Sequence, residues 1–290
     1  MEQLYAFLAR QAAAGHLPEA FGYAFVVRGL LAVLVLAPLL GGLSHLVVAR
    51  RLAFFSSALG QAALTGLTLG VVLGEPLIAP YGGIFGFCLL SALAMVYVRR
   101  RSALPPDTLV GVFLSLTLGL GICLLVAVTK RFNIHQIEAV MFGSLLTVTD
   151  GDLLLLALLG ALVLALTAIL YNRFALDSLD PALARAAGLP TDLLEYLFVV
   201  LLTAAIVVSL KIIGALLVEA LVVVPAAAAR NLARTTRSML VGSVLAALLA
   251  GEGGMLASAK FAVPSGGAVV LGLGVVFLIT LTTRGILRRR

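Results

Sequence analysis

Long apolar runs separated by short polar or basic stretches fill this 290-residue chain. A helix needs about 20 such residues to cross the roughly 30 Å hydrocarbon layer of a bilayer. The pattern predicts spans near 24–48, 54–73, 79–98, 108–128, 153–171, 193–211, 212–229, 239–259 and 266–283. The sixth and seventh are the least separated, because only Lys211 and Gly214 interrupt the run. Residues 1–22 read as an external amphipathic segment ending at Pro18. Residues 130–152 are too polar and too broken to cross and read as an external helix and turn, and 172–192 form the longest loop between spans. The expected fold class is all-α integral membrane, a polytopic bundle of about nine transmembrane helices in one domain over 23–290.

Composition agrees: 62% of residues are hydrophobic and 11% are charged, with a mean hydropathy of +1.18. So few charges could not coat a water-soluble domain. The net charge of +7 would suit nucleic acid, but the basic residues cluster at the ends of apolar runs, where they set membrane topology. One set of alternate loops holds Arg50, Arg51, Arg99, Arg100, Arg101, Arg173, Arg185, Arg230, Arg234, Arg237, Arg284, Arg288, Arg289 and Arg290, which is 14 of the 20 Lys and Arg residues. The other set holds Arg10, Arg28, Lys130, Arg131, Lys211 and Lys260. The positive-inside rule then puts the N-terminus outside and the C-terminus in the cytoplasm. The opening MEQ lacks the basic region of a cleaved signal peptide. Cys88 and Cys123 lie within apolar runs and read as small buried residues.

Several polar positions interrupt the spans. Ala58, Ala62, Gly66 and Gly70 are four apart and share one face of the second span, and Ser57, Gln61 and Thr65 form a neighbouring stripe. Such faces serve either as close helix-packing seams or as the lining of a polar route. Glu219 and Glu252 fall inside apolar runs, where a charge costs roughly 2.5–3.5 kcal/mol on insertion scales, so each needs a partner or a wet cavity. His45 in the first span reads as a structural histidine or a ligand. In the stretch DSLDPALARAAGLP, Asp180 suits an N-cap, Pro181 the first helical position and Gly188 the C-terminal turn, predicting a short helix over 181–187. Ala182, Ala186 and Ala187 would let a partner approach it closely. The chain contains neither a phosphate-cradling G-x-x-x-x-G-K-[ST] motif nor an H-E-x-x-H metalloprotease motif, and no catalytic constellation is apparent.

The stretch RRLAFFSSALGQAALTGLTLG at 50–70 resembles the permease subunits of zinc/manganese-type ABC importers, whose signature reads RR-x-A-x-x-G-D-A-L-S-H-A-x-L-P-G. Similar segments follow in order: AVMFGSLLTVTDGDL, LDPALARAAGLP, KIIGALLVEALVVVPAAAAR and VPSGGAVVLGLGVVF. The resemblance implies an ATP-driven importer working by alternating access, with a cytoplasmic ATPase, an extracytoplasmic binding protein and a second permease copy or paralogue. The chain itself would carry no enzyme activity and no permanent cofactor, with a divalent metal as cargo. It further implies that 180–188 couples to the ATPase and that the second span lines the pathway. The family's pathway Asp and His are replaced here by Ser57 and Gln61, and its Pro by Thr65. Neutral oxygens compete poorly for zinc. Three explanations follow: ligands relocated to Glu219, His45 or Glu252; a metal chelate or other small solute as cargo; or a subunit that transmits motion without transport. Glu219 favours relocation, because the family position is small or apolar. Without the resemblance, a proton-coupled secondary transporter would be the reading of a lone intramembrane Glu.

Overall fold

The computed structural model describes residues 23–75, 81–102, 104–129, 149–261 and 263–288. The amphipathic segment expected over 1–22 and most of the external turn expected over 130–152 lie outside them. Every regular element among the described residues is a helix: α1 (Ala24–Ala49), α2 (Phe55–Val72), α3 (Tyr81–Arg101), α4 (Pro106–Thr129), α5 (Asp150–Leu179), α6 (Pro181–Ala186), α7 (Thr191–Leu232), α8 (Thr236–Phe261) and α9 (Ser265–Arg288). Eight of these are long and apolar enough to cross a membrane.

The eight long helices make nine passes through the bundle. At 42 residues, α7 would be about 63 Å long if straight, twice the roughly 30 Å of a hydrocarbon core. It breaks at Gly214, whose φ of 77° and ψ of 166° are non-helical. This left-handed value suits glycine, which has no Cβ to clash.

Contacts fix the direction of each half. The α7 start is tied to the α3 end by Arg100 pairing with Asp192 and Glu195. At Lys211 it reaches the opposite end, bonding Asp152 at the α5 start and Tyr81 at the α3 start. It then returns, the Ala226 N–H donating to Ser44 Oγ near the α1 end and Asn231 to Thr280 near the α9 end.

One end of the bundle gathers Arg50, Arg51, Arg99, Arg100, Arg101, Arg185, Arg230 and Arg234. Arg28, paired to Asp150, and Lys211, paired to Asp152, stand at the other. The α5 start is fixed by a capping box in which Thr149 and Asp152 satisfy each other's backbone N–H.

Largely buried, α1 and α7 form the centre, with Leu36, Leu39, Leu40, Leu43, Phe198 and Leu202 fully enclosed. The outer helices turn Leu116, Leu158, Ile169, Leu249 and Leu271 outward, as lipid-facing surfaces do. Between α7 and the peripheral α4 lies α2, with α3 beside it. Its small-residue face is a packing seam: a Cβ on Gly66 would stand 2.6 Å from the Gly83 carbonyl oxygen of α3. Lipid provides no hydrophobic drive between helices, so such close backbone approach is what holds them.

Candidate functional site

Where α2 meets the returning half of α7, the chain places Glu219 against Ser57 and Gly60. The Ser57 side chain stands beside the Glu219 carboxyl, and a Cβ on Gly60 would lie 3.7 Å from Glu219 Oε1 and 3.4 Å from Ala215 Cβ. Glycine at position 60 thus lets α7 approach the polar stripe. One turn along α2, Gln61 is half-buried and its Oε1 is buried without a hydrogen-bond partner. Glu219 is also half-buried and pairs with no cation among the described residues. Above this contact is a small cavity of about 40 Å³ lined by Gly60, Ala63, Leu64, Leu67, Ile84, Val207 and Ala215. Tyr81 and Lys211 also line it, on the side of the Lys211–Asp152 pair. Together Ser57, Gln61 and Glu219 offer oxygen donors only, a hard donor set.

The third member of the stripe sits elsewhere. Thr65 is fully buried and its hydroxyl donates to the Thr117 carbonyl of α4 at 2.7 Å. A Cβ on Gly121 would meet that hydroxyl at 2.7 Å. Thr65 therefore belongs to the α2–α4 seam.

The other two candidate ligands are also apart from Glu219. His45 is 2% exposed, its Nδ1 bonds the Gly42 carbonyl at 2.7 Å, and its ring lies 5.4 Å from that of Tyr171. It lines a cleft at the basic end with Arg230 and Arg234. Glu252 is half-buried on α8, and no described residue hydrogen-bonds to it. Among the described residues no three His, Cys, Asp or Glu side chains come close enough to hold a metal ion.

The segment at 180–188 folds as its capping chemistry dictates. Asp180 Oδ1 accepts from the N–H groups of Ala182 and Leu183 at 3.0 and 2.9 Å, and Pro181 opens α6. Gly188 closes it at φ 75°, with Gly188 N–H donating to Arg185 and Leu189 N–H to Ala184, a Schellman ending. Ala184 is buried, whereas Pro181, Ala182, Leu183, Ala186 and Ala187 are exposed.

Sequence reasoning missed what anchors this helix. The α5 helix runs on through the expected loop to Leu179, carrying Asp177 to Arg50. Their side chains are 6% and 8% exposed and 2.7 Å apart. The Arg50 guanidinium also lies 4.6 Å from the Phe198 ring centre and 5.7 Å from that of Phe174. An acid inside a predicted loop and an arginine closing a predicted span were the available signal.

Comparison with known proteins agrees with this architecture. The manganese import system permease protein ScaB of Streptococcus gordonii is 28% identical, over 88% of this chain and 90% of that protein. The high-affinity zinc uptake system membrane protein ZnuB of Haemophilus influenzae is 29% identical, over 89% and 96%. The solved structure of PsaBC from Streptococcus pneumoniae in complex with Fab superposes with a TM-score of 0.76 at 29% identity, covering 89% of this chain and 91% of that one. The family model described as the ABC 3 transport family matches residues 22–284, and the chain belongs to that family.

Proposed function

We propose that this chain is the membrane-spanning permease subunit of an ATP-driven importer for a divalent transition metal, with manganese favoured over zinc. Family membership across 22–284 supports the permease role. The approach of Glu219 to α2 at Gly60, beside Ser57, carries the cargo reading. At the position where the family signature has an acid this chain has a hydroxyl, and the carboxyl arrives from α7. Glu219, Ser57 and Gln61 then form an oxygen-only donor set on α2 and α7, suited to manganese; zinc prefers imidazole or thiolate. Thr65, bonded to Thr117, takes no part in it.

In this reading the basic end is cytoplasmic, by the positive-inside rule, in a bacterial inner membrane. An extracytoplasmic binding protein delivers the ion to the opposite end. A separate ATPase subunit moves α6, and a second permease copy or paralogue completes the pathway. Access alternates between the two ends, and the ion rests briefly at Glu219.

Uptake into proteoliposomes holding the chain with its ATPase and binding protein tests this. Manganese accumulation should require ATP and exceed zinc accumulation, and Glu219→Gln should lower it on the order of 10- to 100-fold. Accumulation driven by a proton gradient without the ATPase would overturn the importer reading. Unchanged manganese uptake in Glu219→Gln would overturn the assignment of Glu219.

A further inference from the structure

The end of the bundle that carries α6 contains a polar cleft of about 290 Å³. Arg50, Arg51, Asp177, Pro181 and Arg185 line it, so it joins the α1–α2 turn to the α5–α6 turn. Its three acids are already engaged: Asp177 with Arg50, Asp192 with Arg100, and Glu195 with Arg99 and Arg100. The cations outnumber them. Arg51 and Arg185 form no ion pair with any described residue, and Arg50, more than nine-tenths buried, keeps its Nε–H without an acceptor. Arg51 also takes the left-handed backbone conformation at φ 57°, the one described non-glycine residue to do so. A residue with a Cβ is disfavoured there, and such positions concentrate at functional sites.

Beside these cations α6 exposes the apolar residues Pro181, Ala182 and Leu183, the last 54% exposed. Unpaired guanidinium groups next to an exposed leucine match a protein groove with an apolar floor and a carboxylate on its rim.

We propose that Arg51 and Arg185, helped by the spare Arg50 Nε–H, form a seat for a carboxylate side chain of the ATPase partner. This rests on the permease reading above and adds Arg51, at the α1–α2 turn, to the grip made by α6. The seat spans two turns at once. Asp177 is three residues before Asp180, the cap of α6. Arg51 is four residues before Phe55, the start of α2, which carries Ser57. A carboxylate held there would pull on the coupling helix and on the pathway helix together.

The test is binding of the purified ATPase subunit to the full-length chain in detergent, at low and high salt. The double variant Arg51→Glu/Arg185→Glu should weaken binding on the order of 10- to 100-fold at low salt. Arg51→Lys/Arg185→Lys should retain most of it. Replacing one rim acid of the ATPase with Arg should restore binding to the double variant. Arg51→Gly relieves the left-handed strain while removing the charge, so it should bind more weakly without losing thermal stability. A folded charge-reversal variant that binds the ATPase as tightly as the unaltered chain overturns the proposal. So does a loss confined to vesicles of anionic phospholipid, which would assign the seat to lipid. Failure of the unaltered chain to hold any ATPase subunit would instead overturn the permease reading.

Discussion

A buried acid and a half-buried one in this molecule are treated in opposite ways. Asp177, at the basic end, is held 2.7 Å from Arg50, whose guanidinium lies near the rings of Phe198 and Phe174. Glu219, within the bundle, meets a hydroxyl and the open face of a glycine, with no cation among the described residues. The chain can therefore neutralise a buried carboxylate internally, and does so where rigidity serves it. Leaving Glu219 without a cation suits a group whose counter-ion comes from outside. The pair ties together α1, α5 and α7, and the unpaired acid is the one proposed above to hold cargo.

Breaking the pair should produce the largest effect. Arg50→Ala strands Asp177 in a buried site and should cost about 3–5 kcal/mol, read as a fall in thermal unfolding temperature in detergent. The double variant Arg50→Met/Asp177→Leu should cost less than either single change, because no charge is left behind. A double variant as unstable as Arg50→Ala would mean that the ring contacts and not the ion pair carry the junction. Glu219→Gln should behave in the opposite way, leaving the unfolding temperature unchanged or slightly raised while uptake falls. A large loss of stability there would make Glu219 a structural acid and erase the contrast.

The packing seams come next. Gly66→Val drives a side chain into the Gly83 backbone and should cost about 1–3 kcal/mol. Gly86→Val, on a face of α3 with nothing within 4 Å, should be neutral. Equal effects at the two positions would show that α3 is not held against α2 as described.

What was legible in the sequence follows from how local each cause is. Span positions depend on hydropathy alone, and α6 on Asp180, Pro181 and Gly188, which act on their own backbone, so both could be read directly. The break between the sixth and seventh spans was less legible: only Lys211 and Gly214 interrupt that apolar run, and the boundary drawn after residue 211 falls at Gly214 in the structure. Partners across the bundle were not legible. Ser57, Gln61 and Thr65 share a spacing, yet spacing does not say which helix faces each residue. Arg50 and Arg51 are adjacent and chemically alike. One is buried against Asp177, and the other is left-handed and exposed.

Thr65 offers the smallest effect and the sharpest discrimination within the stripe. Its hydroxyl bonds the Thr117 carbonyl, and that carbonyl retains acceptor capacity for the backbone of its own helix. Thr65→Val keeps the shape and should therefore cost only about 0.6 kcal/mol, the usual scale of a hydrogen bond between membrane helices. Manganese uptake should be unchanged, because the side chain faces α4 and not the Glu219 contact. Ser57→Ala, two turns earlier on the same helix, removes a comparable hydroxyl from the carboxyl itself and should lower uptake at little cost in stability. If Thr65→Val abolished uptake in a folded protein and Ser57→Ala did not, the pathway would run along the α4 side of α2, and the roles given to the two hydroxyls would have to be exchanged.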